Sequence, residues 1–335
     1  MPKEIRIGAH LSAAGGLANA VFAAERMGLN CLQIFGASPR QWRVKMPSES
    51  EIADFKSARE KAGLSEVYLH AAYLVNLASP DQEIASKSVN NLAEHFRIAQ
   101  TLGADGLIFH VGSGKELPKR TAMEKVAEGV RLILKEVPGP AKIILENSAG
   151  GGQKLGSFPE EIGEILDLID SERAAVCFDT AHGLEAGLVP EYSASGVAEF
   201  FARWGKSVGW ERTPVIHAND SRTAPSSLHD QHENIGQGYI GVRGFGNLAA
   251  IEAVRMKAWI MEVPGFDGNG PDRENADLLK EILLSAKGKA KSEKQRPTVR
   301  QIRSSKSEIL NKSQTTNSKS QTRTGLGSAK LKTKS

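Results

Sequence analysis

The chain has 335 residues, of which 40% are hydrophobic, so it is long enough for one large barrel or two ordinary domains. Its formal charge of +4 conceals a division, because residues 286–335 carry fourteen Lys and Arg against two acidic side chains, whereas residues 1–285 are net acidic. No run approaches the ~18 consecutive apolar residues of a membrane helix, which argues against a membrane-spanning protein.

The two cysteines lie inside apolar runs, so we expect Cys31 and Cys177 to be buried free thiols and not a disulfide framework. The N-terminal residues lack the apolar stretch of a signal peptide. Both observations favour a reducing cytoplasm, and we expect no contact with a membrane.

Short apolar runs alternate with longer amphipathic stretches along residues 1–285. Eight runs have the length and composition of buried strands: 5–9, 31–35, 67–69, 107–109, 142–145, 175–178, 215–216 and 258–261. A helical pattern follows each of them in turn: 17–27, 51–62, 84–102, 121–135, 159–169, 197–204, 245–254 and 272–285. These eight units predict an α/β protein whose parallel sheet closes into a (β/α)8 TIM barrel, although a doubly wound sheet has a similar periodicity.

After residue 286 the composition changes to Lys, Ser, Thr and Gln, with no aromatic residue and no sustained apolar period. Such a segment cannot bury enough surface to offset the entropy lost on ordering. The sequence therefore predicts a barrel domain over 1–286 and a basic, low-complexity, disordered tail over 287–335.

Six consecutive predicted strands, from the third to the eighth, end in an imidazole or a carboxylate. These residues are His70, His110, Glu146, Asp179, His217 and Glu262. The loops just beyond the strands add three more, which are His182, Asp230 and His232. In a parallel barrel the carboxyl ends of all strands open onto one mouth, where such enzymes keep their active sites.

A single His or Asp after a strand is more often a cap or a hydrogen-bonded loop residue. Nine such residues at one mouth are different, because buried charges and imidazoles are costly unless they are paired or coordinated. Five histidines and four carboxylates, with no cysteine among them, suit Zn, Mn or Fe. We therefore predict three metal ions with one bridging carboxylate, an arrangement that favours hydrolysis of a phosphodiester.

The chain resembles the endonuclease IV family of AP endonucleases over roughly residues 4–286. The matching segments are IGAHLSAAGGL, RQW at 40–42, LVNLASP after His70, IILENSAGGG, FDTAHGLEAG, HANDS and HDQHENIGQGYIG. The resemblance implies a TIM barrel with three Zn²⁺ ions, with Mn²⁺ or Fe²⁺ as alternatives at one or more sites. It also implies base excision repair of double-stranded DNA that contains abasic sites or blocked 3′ ends. Such an enzyme hydrolyses the phosphodiester 5′ to the abasic site, leaves a 3′-OH and a 5′-deoxyribose phosphate, and trims blocked 3′ ends.

Carried over position by position, the resemblance implies three ligand sets. The first set is His70, His110 and Glu146. The second set is Glu146, Asp179, His217 and Glu262, in which Glu146 bridges two ions and, with Glu262, takes part in catalysis. The third set is His182, Asp230 and His232. The family also inserts side chains into DNA and flips the damaged nucleotide out, and the matching positions are Arg40, Tyr73 and Leu74.

Other signals have simpler interpretations. The segment GQGYIG at 236–241 matches GxGxxG but follows a polar loop, so we expect its amides to approach DNA phosphate and not a dinucleotide. His10 and His95 are expected to be structural or surface residues. The basic tail has three interpretations: it binds DNA phosphate, it is an address signal, or it is dispensable.

The strongest rival function is a xylose isomerase-like sugar isomerase or epimerase, which shares this architecture and uses one or two ions. The third ligand set argues against it. A non-enzymatic DNA-binding or metal-buffering protein is the other alternative, and it predicts binding without turnover. We expect a monomer, located with the nucleoid if the source is prokaryotic.

Overall fold

The computed structural model describes the backbone of residues 5–294 and the side chains of residues 5–286. Eight strands form a closed parallel barrel: β1 (Arg6–His10), β2 (Cys31–Phe35), β3 (Glu66–His70), β4 (Gly106–His110), β5 (Lys142–Glu146), β6 (Ala174–Asp179), β7 (Val215–His217) and β10 (Ala258–Met261). The ring closes because β1 pairs in parallel with both β2 and β10. The predicted TIM barrel is therefore confirmed.

Two further strands form an antiparallel ribbon beside the barrel: β8 (Asp220–Ser221) and β9 (His232–Glu233). The helices are α1 (Leu17–Arg26), α2 (Glu49–Ala62), α3 (Gln82–Leu102), α4 (Lys119–Glu136), α5 (Pro159–Ile169), α6 (Thr180–Glu185), α7 (Ala194–Ser207), α8 (Gly241–Ala250), α9 (Glu252–Arg255) and α10 (Arg273–Lys294). The helix predicted at 245–254 is divided into α8 and α9, because Ile251 between them has an extended backbone with ψ of 109°.

The last helix, α10, runs to Lys294 and so passes the predicted boundary at 286. Its final residues include Ala, Lys and Glu, which have high helix propensity. The predicted disorder of the remaining tail falls on residues that lie outside the described ones. Among residues 5–294, no helix is both long and apolar enough to cross a bilayer.

Local signals explain where the helices begin and end. Ser48 forms a capping box with Glu51 at the start of α2, and Gly63 ends that helix in the left-handed conformation at φ 64°. Asp81 caps α3 by accepting hydrogen bonds from two amides of the first turn. These caps define the helix ends, while the larger buried apolar cluster packs the helices against the strands.

The strands point alternate residues into the barrel, and this period of two explains the position of the polar side chains. One apolar layer fills the interior, formed by Cys31, Tyr68, Ile108, Ile144, Ala175, Cys177, Val215, Ala258 and Ile260. On seven strands a polar residue follows two positions after a member of this layer: Gln33, His70, His110, Glu146, Asp179, His217 and Glu262. On β1 the equivalent pair is Gly8 and His10. A Cβ at Gly8 would lie 2.6 Å from the Cys31 backbone, so only glycine fits there.

Candidate metal centre

The carboxyl ends of the barrel strands open onto one polar mouth, as the sequence predicted. Every barrel strand contributes a polar side chain to it, and the nine predicted ligands all lie there. They form four overlapping groups whose potential ligand atoms lie within 4.8 Å of one another. The groups differ in how closely they follow the predicted sets.

The first group unites His70 and His110 with Glu146, as predicted. The Nε2 atoms of the two imidazoles lie 3.2 and 3.1 Å from Glu146 Oε2. Burial raises the pKa of the Glu146 carboxyl, but the adjacent imidazoles of His217 and His110 outweigh it and hold that pKa well below its usual range. Glu146 therefore carries a negative charge in the interior of the protein.

The second group contains Glu146, Asp179, His217 and Glu262, again as predicted. His217 Nδ1 lies 2.9 Å from Glu146 Oε1, 3.3 Å from Glu262 Oε2 and 3.8 Å from Asp179 Oδ2. Glu146 thus turns one oxygen to each of the first two groups, which is the arrangement of a bridging carboxylate. Three carboxylates surround a single ring nitrogen.

The third predicted set is close in space, but its neighbours differ from the prediction. His182 Nε2 lies 3.2 Å from Asp230 Oδ2, and His232 Nε2 lies 3.5 Å from Asp230 Oδ1. The structure groups the two imidazoles with Asp179, and it groups His182 and Asp230 with Glu185. Glu185 was not predicted as a site residue.

The ring nitrogens that face away from the mouth show whether these residues suit metal ions. His70 Nδ1 lies 2.9 Å from the carbonyl oxygen of Ala71, so this nitrogen carries the proton and donates. His182 Nδ1 donates in the same way to the carbonyl of Asn147 at 2.8 Å, and His232 Nδ1 lies 3.2 Å from a backbone carbonyl.

With Nδ1 committed to a backbone carbonyl, the opposite nitrogen of each ring, Nε2, is the atom that faces the carboxylates of the mouth. The Nε2 atoms of His182 and His232 are buried, and although both lie near Asp230, neither makes a hydrogen bond of good geometry among the described residues. A nitrogen lone pair next to a carboxylate is repulsive unless a proton or a metal cation lies between them, and a metal ion can serve several such pairs at once. The donor set, its burial and its tautomers thus fit divalent metal ions, and imidazole with carboxylate is a typical zinc environment.

Two asparagines hold the predicted ligands in place, and the sequence analysis missed both. Asn219 Nδ2 donates to Asp179 Oδ2 at 2.6 Å, while its Oδ1 accepts from the amide of Glu262 at 2.7 Å. Asn147 Oδ1 accepts from the amide of Asp179 at 2.5 Å. Both follow closely after a ligand-bearing strand end, and this position was the signal that could have revealed them.

His10 and Gln33 were also missed. His10, which we expected to be structural or a surface residue, lies in the mouth with Nδ1 3.0 Å from Glu262 Oε1. Gln33 is fully buried between Glu262 and His217. Their inward position follows from the alternation of β1 and β2, whose strand ends carry no other candidate ligand. His95 is buried in α3, in agreement with a structural role.

The glycine-rich segment at 236–241 does not present free amides, which corrects our expectation of a DNA phosphate contact. The buried carboxylate of Asp220 accepts hydrogen bonds from the amides of Gly236, Ile240 and Gly241 at 2.8 to 3.1 Å. A fourth amide, that of Ser221, lies 2.9 Å from Asp220 Oδ1. The segment therefore wraps around an internal anion, and a Cβ at Gly238 would lie 2.2 Å from the Ser221 carbonyl.

The predicted DNA-contacting residues lie at the rim of the mouth. Tyr73 is 59% exposed, and its ring centroid lies 6.5 Å from that of His110. Its amide donates to the carbonyl of Pro39 at 3.1 Å, which joins its loop to the loop that carries the exposed Arg40. Leu74 is half-buried and lines a cavity of 240 Å³ beside the 420 Å³ cleft of the mouth.

Known proteins share both the sequence and the fold. A family model described as "Xylose isomerase-like TIM barrel" matches residues 21–282. A protein of Halothermothrix orenii named "Probable endonuclease 4" is 35% identical over 277 residues, which are 82% of this chain and 99% of that protein. The crystal structure of endonuclease IV from Thermus thermophilus superposes with a TM-score of 0.73 at 33% identity, covering 84% of this chain and 99% of that one.

More distant structures share the fold alone. A D-tagatose 3-epimerase-like protein has a TM-score of 0.63 at 19% identity and covers 85% of this chain and 99% of its own. The epimerase-like structure is 19% identical to this chain, whereas the endonuclease IV structure is 33% identical. The chain belongs to the endonuclease IV family of xylose isomerase-like TIM barrels.

Proposed function

We propose that this enzyme hydrolyses the phosphodiester bond 5′ to an abasic site in double-stranded DNA and leaves a 3′-OH and a 5′-deoxyribose phosphate. We also propose that it removes blocked 3′ ends by the same phosphoester hydrolysis, as part of base excision repair. The observation that carries the proposal is the set of imidazoles whose Nδ1 atoms lie against backbone carbonyls and whose Nε2 atoms converge on carboxylates. The names of its relatives support the DNA substrate.

We propose three Zn²⁺ ions as cofactors, with Mn²⁺ or Fe²⁺ as alternatives at individual positions. The residues that would hold them are His70, His110, Glu146, Asp179, His182, His217, Asp230, His232 and Glu262. Bound divalent ions supply an activated water and neutralise the charge that develops on the phosphoryl group. The protein supplies their fixed arrangement through Glu146, which belongs to two groups.

Glu146 and Glu262 are the proposed catalytic carboxylates. Glu262 lines the open cleft, whereas Glu146 is buried beneath it. The amide of Glu262 donates to Asn219, and its Oε1 accepts from Gln33 at 2.5 Å. Its Oε2 is directed toward the second ligand group, where it can accept a proton from an attacking water. Fixing one oxygen by hydrogen bonds and leaving the other for chemistry is a typical arrangement for a positioned base.

Arg40, Tyr73 and Leu74 are the proposed DNA-contacting residues. Tyr73 is an exposed aromatic side chain at the rim, and such residues enter the base stack when an enzyme extrudes a nucleotide. Arg40 is exposed on the adjoining loop and supplies positive charge for a phosphate. A lesion in a duplex can reach buried ligands only if it leaves the stack, so these residues and the mouth act together.

A sugar isomerase or epimerase is the alternative function, although the epimerase-like neighbour at 19% identity shares only the fold with this chain. The groups around His182 are the observation against it, because one or two ions need only the first two groups. We propose that the barrel domain over 1–286 acts as a monomer in the cytoplasm, with the nucleoid as its location in a prokaryote. The tail over 287–335 is proposed to add affinity for DNA.

The test is incision of a duplex oligonucleotide with one tetrahydrofuran abasic analogue, using protein of measured metal content. The analogue prevents β-elimination, so any cut is hydrolytic. We expect a cut on the 5′ side with a 3′-OH product, and three equivalents of metal. Folded, fully metallated protein that does not cut this duplex would contradict the proposal, and turnover of a ketose–aldose pair would establish the alternative.

A further inference from the structure

Gln33 joins the imidazole of His217 to the carboxylate of Glu262. Its side chain is fully buried on the inner face of β2. Gln33 Oε1 lies 2.8 Å from His217 Nε2, and Gln33 Nε2 lies 2.5 Å from Glu262 Oε1. Neither partner is near it in sequence, and both come from the later part of the barrel ring through β7 and β10.

The chemistry of the partners fixes the orientation of the Gln33 amide. A carboxylate only accepts hydrogen bonds, so the amide NH₂ must face Glu262. The amide oxygen must then face His217, and an oxygen only accepts. The reversed amide would place two acceptor oxygens 2.5 Å apart in the protein interior. His217 Nε2 is therefore the protonated nitrogen that donates to Gln33.

A metal-binding imidazole is neutral, and with its proton on Nε2 the lone pair of His217 is on Nδ1. That atom is the one surrounded by Glu146, Asp179 and Glu262. In three other histidines of the mouth, His70, His182 and His232, Nδ1 lies next to a backbone carbonyl. A side-chain substitution cannot remove that acceptor. For His217 a side chain takes the place of that carbonyl.

We propose that Gln33 is a positioning residue of the metal centre that selects the Nδ1-ligating tautomer of His217 and holds Glu262 in place. The inference rests on the proposed metal centre but not on the DNA substrate. Gln33 acts through two proposed ligands and touches neither the metal nor the DNA. Removing an outer partner of a ligating histidine typically weakens metal binding by about 10- to 100-fold.

The test compares Gln33→Leu and Gln33→Met with wild type and with Cys31→Ala. Leu and Met keep the volume but remove the hydrogen bonds to His217 and Glu262 and the contact of Gln33 Nε2 with His10 Nδ1 at 2.9 Å. Two variants guard against a failure of one to fold. Cys31 lies two residues earlier on the same face of β2, is equally buried and has its contacts at Ser65 and Glu66, away from the mouth. It controls for a packing defect in this strand.

Two readouts are measured on the zinc-loaded proteins. Competition with a zinc chelator should show about 10- to 100-fold weaker binding of at least one ion in both Gln33 variants and no change in Cys31→Ala. A long-range ¹H–¹⁵N spectrum of ¹⁵N-histidine protein should show a slowly exchanging Nε2 proton on His217, assigned with a His217→Asn variant. That signal should be lost in both Gln33 variants.

Either of two results would overturn the inference. One is a proton on Nδ1 of His217 in the wild-type spectrum, which requires no variant. The other is unchanged zinc affinity in a folded Gln33 variant. The proposed function can fail separately. If the wild type shows the expected tautomer and the variants bind zinc more weakly, but the wild type does not incise abasic DNA, the proposed function is contradicted and this inference still holds.

Discussion

The contacts of the predicted ligands converge on one residue, Glu146. Its Oε2 faces His70 and His110, and its Oε1 faces His217. A buried carboxylate with this many imidazoles around it keeps its charge only while they, or the cations between them, remain. His110 is the most exposed of these imidazoles, with 41% of its side chain accessible, so it can be truncated with little disturbance of the core.

We expect His110→Ala to fold normally and to reduce kcat/KM for incision by more than ~100-fold. Loss of an outer partner of a ligand costs up to about that much, and here a proposed ligand itself is lost. The measurement is kcat/KM for abasic-site incision together with zinc content. His229→Ala is the matched control, because His229 is exposed and its hydrogen bonds to Thr223 and Ser227 are made by its backbone. Near-normal incision by His110→Ala would show that His110 is not a ligand of the metal centre.

At this scale the sequence predicted what a single strand determines. The imidazoles and carboxylates that end the six barrel strands from β3 to β10 were identifiable because the period of two and the barrel direction place them in the mouth, whereas His10 at the end of β1 was missed. Gln33 and Glu185 were not identified, since their roles depend on partners from other elements. Glu185 Oε1, for example, accepts from Ser221 at 2.7 Å and from the amide of Gln231 at 3.2 Å.

Among the elements, the segment from β8 to α8 is organised by one buried acid. Burial raises the pKa of Asp220, and the backbone amides around it oppose that shift by favouring the charged form. The same segment carries β9, and therefore His232. The Asp220 carboxylate thus holds the polar backbone of a segment that also buries Ile235 and Ile240 in the apolar core.

Asp220→Asn should destabilise this segment, because an amide NH₂ would then face backbone N–H donors. We expect a loss of about 2–3 kcal/mol in the free energy of unfolding, measured with denaturant, and faster amide exchange over 231–241. Asp267→Asn is the control, since Asp267 lies on the surface and accepts from the nearby amide of Asn269. Equal stability of the two variants would mean that Asp220 does not organise the segment.

Element lengths explain which parts of the secondary structure were predictable. The barrel strands and long helices show periodicity over many residues, and all eight strands were located correctly. The ribbon β8–β9 has two residues in each strand, and α6 has six residues. Such short elements satisfy the backbone hydrogen bonds of the loops that carry ligands. They are too short to show a hydrophobic periodicity, so the sequence did not predict them.

The whole chain combines an acidic barrel with a basic extension, and these have opposite effects on DNA association. Residues 295–335 carry ten of the fourteen basic residues that follow residue 285. Phosphate contacts by Lys and Arg release counterions, so the affinity for duplex DNA becomes dependent on salt.

Deletion of residues 295–335 leaves α10 whole and should weaken binding to undamaged duplex at low salt. The slope of log affinity against log salt should fall by about 0.9 for each phosphate that the tail no longer neutralises. The measurement is fluorescence anisotropy across a salt series, and circular dichroism controls for folding. A slope equal to that of the full chain would assign the tail another role.

Removal of metal should destabilise the whole barrel, because the imidazoles and carboxylates of the mouth would then lose the cations proposed to hold them together. Binding at 100 times Kd stabilises a protein by about 2.7 kcal/mol per site, so we expect a fall in Tm of at least about 5 °C after chelation. Zinc should restore both Tm and incision. A Tm that is identical with and without zinc would contradict a metal centre built from these residues.

Closure of the strand ring between β1 and β10 has a consequence for biosynthesis. The proposed ligands extend from His70 to Glu262, and β10 joins the sheet only through β7 and β1. In a nascent chain the second ligand group stays incomplete until Glu262, which directly follows the eighth barrel strand, leaves the ribosome. We therefore expect this group to be completed together with ring closure, so that a metal ion bound there would stabilise the last step of folding.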